Sequence, residues 1–405
     1  MLFYICESCK LLNISEINLP LKTQFFESKL TKEKPLGKNQ ILQIFEENDL
    51  KQLMDEKFAI IINDHHRATP SKKILRLLIQ TYGKNNIESI IIATGTHSAP
   101  SIDQLNHLID KEIQDQIPII IHDAKQSDCI YLGTTKSGTP IKINKILQSF
   151  NNILCINSVE PHYFAGFTGG IKSIFPGLGS YESIIKNHSL ALDPHTGPSI
   201  TENNPLFNDL WEVESMIDSN IFGIQMVCEG NNIFSLSYGS LRNSFNQAKE
   251  FAMNVLTITT KETFDVVVSV VYAPLNMSLY QAQKGIENTK KLVTKGGVLI
   301  LLAKCTEGIG NENFYNTIRE YNTPEHVLQS LNLSNYKFGD HKVYNFAKFT
   351  HSNTLFIISN LSETELHHVF ANSLSINRLE GYLQEHSEQG KSIAVVMDSG
   401  NICII

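Results

Sequence analysis

The stretch "FAIIINDHHRATPSKKILRLLIQTYGKNNIESIIIATGTH", residues 58–97, holds two short aliphatic runs separated by a segment of a different period. A run of four to eight apolar residues bounded by polar ones reads as a strand buried on both faces. "FAIIIND" (58–64) and "IESIIIATG" (87–95) fit that description, and "SKKILRLLIQTYG" between them carries helical spacing. Strand, helix and strand in that order form a parallel pair joined by a crossover. Each strand also ends in polar residues of chemical interest, Asp64 and Arg67 after the first and His97 after the second.

The same alternation continues outward. "IPIIIHD" (117–123) and "NILCINSVE" (152–160) read as further buried strands, and "IKINKILQSF" (141–150), ahead of the last, as a helix. A second series, "FDVVVSVV", "GGVLILLA", "NTLFIISN" and "SIAVVMD", begins after residue 262, separated by the helical segments "MSLYQAQKGIENTKKLV", "TPEHVLQSLN" and "ETELHHVFANSL". The expected fold class is α/β, with two domains of largely parallel sheets flanked by helices, residues 1–262 and 263–405, and an active site in the inter-domain cleft.

At 405 residues and 42% hydrophobic the chain has ample core for two domains without covalent staples. A net charge of -7 leaves no basic field for a phosphate backbone, so nucleic acid is not an expected partner. The seven cysteines are odd in number and scattered, which reads as reduced thiols; only Cys6 and Cys9 form a CxxC, and no second pair follows to complete a zinc site. The start "MLFYICESCKLL" lacks a basic region and a long apolar run, and no later run reaches membrane-spanning length. The expectation is a soluble, cytoplasmic protein with no membrane partner.

The polar clusters fall after the carboxyl ends of strands: Asp64 and Arg67, His97, His122 with Asp123, and Glu160 with His162. Parallel sheets bind ligands along that edge. His122 in "HD" suits a structural role at a strand end. Imidazole titrates near neutrality, so two histidines on opposite sides of one carbon could exchange protons on both faces, as a racemase requires. Arg67 offers a planar fork that matches a carboxylate, with Asp64 placed to hold it. In "EPHYFAGFTGGIKSIFPGLGSYESIIKNH" (160–188), His162, Lys172 and His188 stand among Gly166, Gly169, Gly170, Gly177 and Gly179. Glycine is costly to order, which points to a ligand against that backbone. Lys172 could reach such a ligand covalently or as a point charge, and His188 suits nickel, copper or zinc. The residue types leave these roles open.

Together these stretches, with "ATGTH", "YLGTTKSGTPIKIN", "LYQAQKGIENTK" and "KGGVLILLAKCTEGIG", resemble the nickel-pincer lactate racemases and related 2-hydroxyacid racemases and epimerases. The ten- and sixteen-residue spacings of His162, Lys172 and His188 match that family's pattern. The resemblance implies an isomerase whose cofactor is a nickel-pincer nucleotide, pyridinium-3-thioamide-5-thiocarboxylic acid mononucleotide carrying nickel. It implies Lys172 as the covalent tether, Gly169 and Gly170 beside the cofactor, and His188 as metal ligand. His97 and His162 match the acid/base pair, working while hydride moves between substrate Cα and the cofactor. Asp64, Arg67, Tyr280, Gln281 and Lys284 match residues that hold substrate. The implied partners are a small 2-hydroxyacid and the proteins that make the cofactor.

The chain departs from the family pattern at His66 and Ser98, at Val271, Tyr272 and Asn276, and in having Trp211, in a core-like helical segment, as its only tryptophan. These departures point to a substrate other than lactate. Two alternatives are a homologue that binds the cofactor without turnover, and a zinc hydrolase using His97, His122, His162 or His188.

Overall fold

Phe58–Ile62 are buried without interruption, and Ile60, Ile61 and Ile62 are wholly inaccessible. Each such side chain contributes about 1.5–3 kcal/mol of burial free energy, which is the reason this run sits at the centre of a sheet. The computed structural model describes residues 2–3, 17–332 and 335–405. The chain divides into two units, Lys29–Val255 and Met1–Ser28 with Leu256–Ile405. The Cys6 and Cys9 pair lies outside the described residues. No helix among the described residues is long and apolar enough to cross a membrane.

In the unit Lys29–Val255 a six-stranded sheet runs in the order Asn232–Ser240, Asn220–Glu229, Asn152–Ser158, Phe58–Asn63, Ile87–Ala93, Ile119–Ile121. All neighbours are parallel except the first two, which form an antiparallel pair. The helix Ser71–Tyr82 makes the crossover between the strands of the opening stretch, burying Ile74, Leu75, Leu77 and Leu78. A small three-stranded sheet of Pro161–His162, Ala165–Phe167 and Gly197–Pro198 follows the Asn152–Ser158 strand and pairs His162 with Gly166.

The helix expected over residues 141–150 is instead the strand Pro140–Asn144 and a short 3-10 turn, Lys145–Ser149. Ile141 and Ile143 are buried while Lys142 between them is not, so the period is two and the segment pairs with Cys129–Thr134. Trp211 is a core residue as expected, 7% exposed, with its ring 5.1 Å from that of Phe245 and 4.3 Å from the Arg242 guanidinium.

The second unit holds a six-stranded, all-parallel sheet in the order Asn372–Ser373, Thr354–Ile358, Val293–Leu302, Phe264–Val270, Ile393–Val396, Gln24–Phe26. The edge strand Gln24–Phe26 comes from the start of the chain, where a reading by sequence order assigned it to the first domain. Three residues that add to the edge of Ile393–Val396 carry no periodic signal of their own. The chain changes unit at Val255/Leu256, a few residues before the expected 262/263.

Candidate active site

In the parallel sheet, the strands Phe58–Asn63, Ile87–Ala93 and Asn152–Ser158 end at one edge, and the loops that follow carry Asp64, His97 and Glu160. Asp64 is 3% exposed. Its Oδ1 accepts the amide of His66 at 3.2 Å and its carbonyl that of Arg67 at 3.2 Å, a tight turn that brings Arg67 back over the strand end. Arg67 then lies 3.7 Å from Glu160.

The Asp64 Oδ2 is 2.6 Å from the His97 Nδ1. Burial alone would raise the Asp64 carboxyl, but the His97 hydrogen bond and the charges of His97, His66 and Arg67 outweigh it and hold the group below the usual carboxylate range. An ionised Asp64 makes His97 Nδ1 the donor, so the lone pair of the neutral ring is at Nε2, ready to accept a proton.

His66 packs its ring 4.3 Å from His97 and 4.1 Å from His65. Burial and the neighbouring His97 push the His66 imidazole down to about 4, against the pull of Asp64, so it is neutral at physiological pH. One donor atom each from Asp64, His66 and His97 lies within 4.8 Å of the others, a group able to approach a metal ion. Tetrahedral ligands at ordinary bond lengths stand about 3.3 Å apart. The Asp64 Oδ2 and His97 Nδ1, 2.6 Å apart, are a hydrogen-bonded pair and too close to serve together as such ligands.

The second cluster is built around Phe164. His162 is buried, with its ring 4.6 Å from Phe164. The Ala165 amide donates to His162 Nδ1 at 3.3 Å, which puts the ring proton of the neutral form on Nε2. The Lys172 Nζ lies 5.7 Å from the Phe164 centroid and the His188 ring 5.3 Å from it. Burial, then the charges of Lys172 and His97, push His188 down to about 3. His188 is therefore a neutral imidazole beside an amine, on the helix Tyr181–Ser189.

A chain of side-chain hydrogen bonds fixes the turn Gly170–Ser173 that carries Lys172. Gly170 donates its amide to Gln225 at 2.9 Å, Gln225 and Ser173 donate to Asn157 at 3.2 and 3.0 Å, and Asn157 donates to Asn63 at 3.0 Å. Gly177 ties this turn to the His97 loop, its amide donating to the Lys172 carbonyl and its carbonyl accepting from the Gly95 amide, each at 2.9 Å. Asn63, Asn157 and Gln225 were not among the expected site residues, because isolated polar residues in strands carry no motif.

Packing gives the glycines a reason of its own. A Cβ at Gly169 would lie 2.7 Å from Val159 Cγ2, and one at Gly170 would lie 2.8 Å from Phe245 Cδ2 and 2.9 Å from Trp211 Cζ2. This chain's own atoms occupy the space, and the Gly170 amide is already bonded to Gln225. Gly169 and Gly170 allow close packing beneath Lys172. His122 serves structure, with Nε2 3.0 Å from the Gly179 carbonyl and Nδ1 3.1 Å from the Asn144 amide group, both ring nitrogens being engaged.

Tyr280, Gln281 and Lys284 lie in the other unit, in the first turns of the helix Leu279–Thr289. Tyr280, Gln281 and Lys284 are all half-buried on that helix, and desolvation pushes the Tyr280 phenol up.

Residues 13–198 match the lactate racemase N-terminal domain family and residues 259–396 the lactate racemase C-terminal domain family. The chain belongs to the lactate racemase family. It is 29% identical over 282 residues to a lactate racemase of Thermoanaerobacterium thermosaccharolyticum, covering 68% of this chain and 66% of that one, a little under two thirds of the relative's length. To a lactate racemase of Lactiplantibacillus plantarum it is 26% identical over 298 residues, covering 71% and 70% of the two chains. The fold matches the lactate racemase apoprotein of T. thermosaccharolyticum with a TM-score of 0.86 at 23% identity, over 96% of this chain and 97% of that one. A Thermotoga maritima protein matches at 0.73 and 17% identity, over 92% and 99%.

The donor set suits the cofactor that the resemblance implies. An amine and a neutral imidazole share the Phe164 ring, and imidazole is a favoured nickel ligand.

Proposed function

We propose that the chain is an isomerase that racemises or epimerises a small 2-hydroxyacid with a nickel-pincer nucleotide held by Lys172 and His188. The observation that carries this reading is the grouping of Lys172, His188 and His162 around Phe164. The nucleotide, when bound, supplies the acceptor and donor for the hydride of substrate Cα.

The chain's own residues supply proton control and orientation. Arg67 presents a bidentate fork to the substrate carboxylate, and Gln281 and Lys284 add a polar contact and a second charge. His97 takes the hydroxyl proton at Nε2, and the Asp64 carboxylate stabilises the resulting imidazolium through Nδ1–H, 2.6 Å away. His162 serves the opposite enantiomer. To accept a proton at Nε2 its Nδ1 must carry one, so the Ala165 contact at 3.3 Å has to lengthen. The resting arrangement thus favours His97 as the first base, a difference between the two histidines that their spacing does not reveal.

Partner proteins that synthesise and load the nucleotide follow from this reading. A homologue that binds the cofactor without turnover would keep Lys172 and His188 but have no use for the Asp64–His97 pair, and the close contact between those two favours an active enzyme. The test is protein produced together with the cofactor pathway and read by intact-protein mass spectrometry and nickel analysis. The peptide containing Lys172 carries a nucleotide adduct, lost in Lys172→Ala. His188→Ala keeps the adduct and loses most of the nickel. An unmodified Lys172 under conditions that load a known relative overturns the proposal.

A further inference from the structure

Lys342 is 2% exposed, an unusual place for an ammonium, since burying a charge costs several kcal/mol unless close contacts compensate. It sits in the first turn of the helix Asp340–Thr350 and reaches across to the helix Leu279–Thr289. Its Nζ donates to the Tyr280 carbonyl and lies 3.7 Å from the centroid of the Tyr280 ring. A return bond runs the other way, the Gln283 side-chain amide donating to the Lys342 carbonyl at 2.9 Å. The Tyr280 ring is thus in contact with the ammonium and also with Phe314, edge to face at 5.7 Å.

Helix stability does not account for this arrangement. A cation beside the first turn of a helix opposes the helix dipole. Nor does it cap the amides of that turn, which have other partners: those of Leu279 and Tyr280 donate to the Gly308 and Ile309 carbonyls at 3.2 and 2.9 Å, and those of Gln281 and Ala282 to the Ser278 carbonyl. What a fixed cation at this place does favour is an anion beside the same helix turn, which also carries half-buried Gln281 and Lys284.

We propose that Lys342 is a positioning residue for substrate: it clamps Tyr280 and the start of the helix that presents Gln281 and Lys284, and adds a buried positive charge behind them that favours a carboxylate-bearing substrate. The inference rests on the reading of Tyr280, Gln281 and Lys284 as substrate-holding residues. The geometry gives Lys342 no part in proton or hydride movement, so its loss is felt in KM and not in kcat.

The experiment compares Lys342→Met, Lys342→Arg and Lys284→Met in cofactor-loaded protein, with D- and L-lactate as probes, measuring kcat, KM, nickel content and Tm. The expected result for Lys342→Met is a KM for both enantiomers raised about tenfold or more, kcat within about twofold, unchanged nickel and an unlowered Tm. Lys342→Arg, which keeps the charge but replaces the point donor by a fork, recovers most of the loss in KM. A merely structural lysine gives the reverse pattern, a lowered Tm with KM unchanged, and that overturns the proposal. If Lys342→Met does not fold, Lys342→Gln, which removes the charge but keeps a donor to the Tyr280 carbonyl, decides in its place: a raised KM at unchanged Tm and kcat supports positioning, and an unchanged KM overturns it. A raised KM in Lys284→Met beside an unchanged one in Lys342→Met overturns this inference and leaves the substrate reading of the helix standing. An unchanged KM in Lys284→Met removes that reading and the inference with it.

Discussion

Replacing Asp64 by asparagine separates the charge of the Asp64–His97 pair from its shape. The side chain is 3% exposed and its Oδ2 lies 2.6 Å from His97 Nδ1, within the range of a charge-assisted hydrogen bond. Such a bond contributes about 1.5–3 kcal/mol, and each 1.36 kcal/mol is tenfold in rate, so losing the stabilised imidazolium alone costs roughly 10–200-fold. Asparagine can also donate to Nδ1 and so moves the ring proton to Nε2, where the base must be free; in a serine protease the equivalent change costs about 10⁴-fold. The expected fall in kcat is therefore about 10²–10⁴-fold, with the Lys172 adduct and nickel unchanged. Chiral chromatography of lactate interconversion, normalised to nickel, measures it.

The same variant has a signature in stability. Because the Asp64 carboxyl is held below its unfolded value, its ionised form adds stability that is full above about pH 4 and is lost as pH falls through the lower folded value. Asparagine removes that contribution, so wild type and variant differ in stability at neutral pH and converge in acid. Retention of kcat within about fivefold at full cofactor loading would refute the assignment of Asp64 and His97 as a working pair.

Three further outcomes are expected. His97→Ala and His162→Ala each lower interconversion by about 10²–10⁴-fold while the adduct remains on Lys172, checked by the same assay and by mass spectrometry. Gly177→Ala drives a Cβ into the Ser173 carbonyl and to 2.9 Å from the Ala93 Cβ, which costs about 1–3 kcal/mol and lowers Tm by roughly 2–12 °C in calorimetry. A panel of 2-hydroxyacids shows a better substrate than lactate, because His66 and Ser98 replace the family's usual residues next to His97; a clear preference for lactate contradicts this.

How much of this was legible beforehand depends on the range of the interactions involved. "FAIIIND" and "NILCINSVE" identified their strands because a strand buried on both faces in a parallel sheet must be apolar along its whole length, a local property of the chain. The order of those strands put Asp64, His97 and Glu160 at one edge without any coordinates, since parallel strands end together. "IKINKILQSF" was misread because Ile141, Ile143, Ile146 and Leu147 fit periods of both two and 3.6, and the choice fell to the partner strand Cys129–Thr134. The edge strand Gln24–Phe26 depends entirely on its neighbour, more than 360 residues away in sequence. The glycines show the same division. Their presence suggested a ligand against the backbone, and only packing reveals that this chain's own atoms close on the Cβ positions of Gly169, Gly170 and Gly177. The candidate proton-transfer and tethering residues stood out by type, but their roles came from the family resemblance. Their surroundings are different: the contacts of Asp64 with His97 and of Ala165 with His162, and the burial of His188 near the charge of Lys172, depend on distance and exposure, and those exist only once the chain has folded.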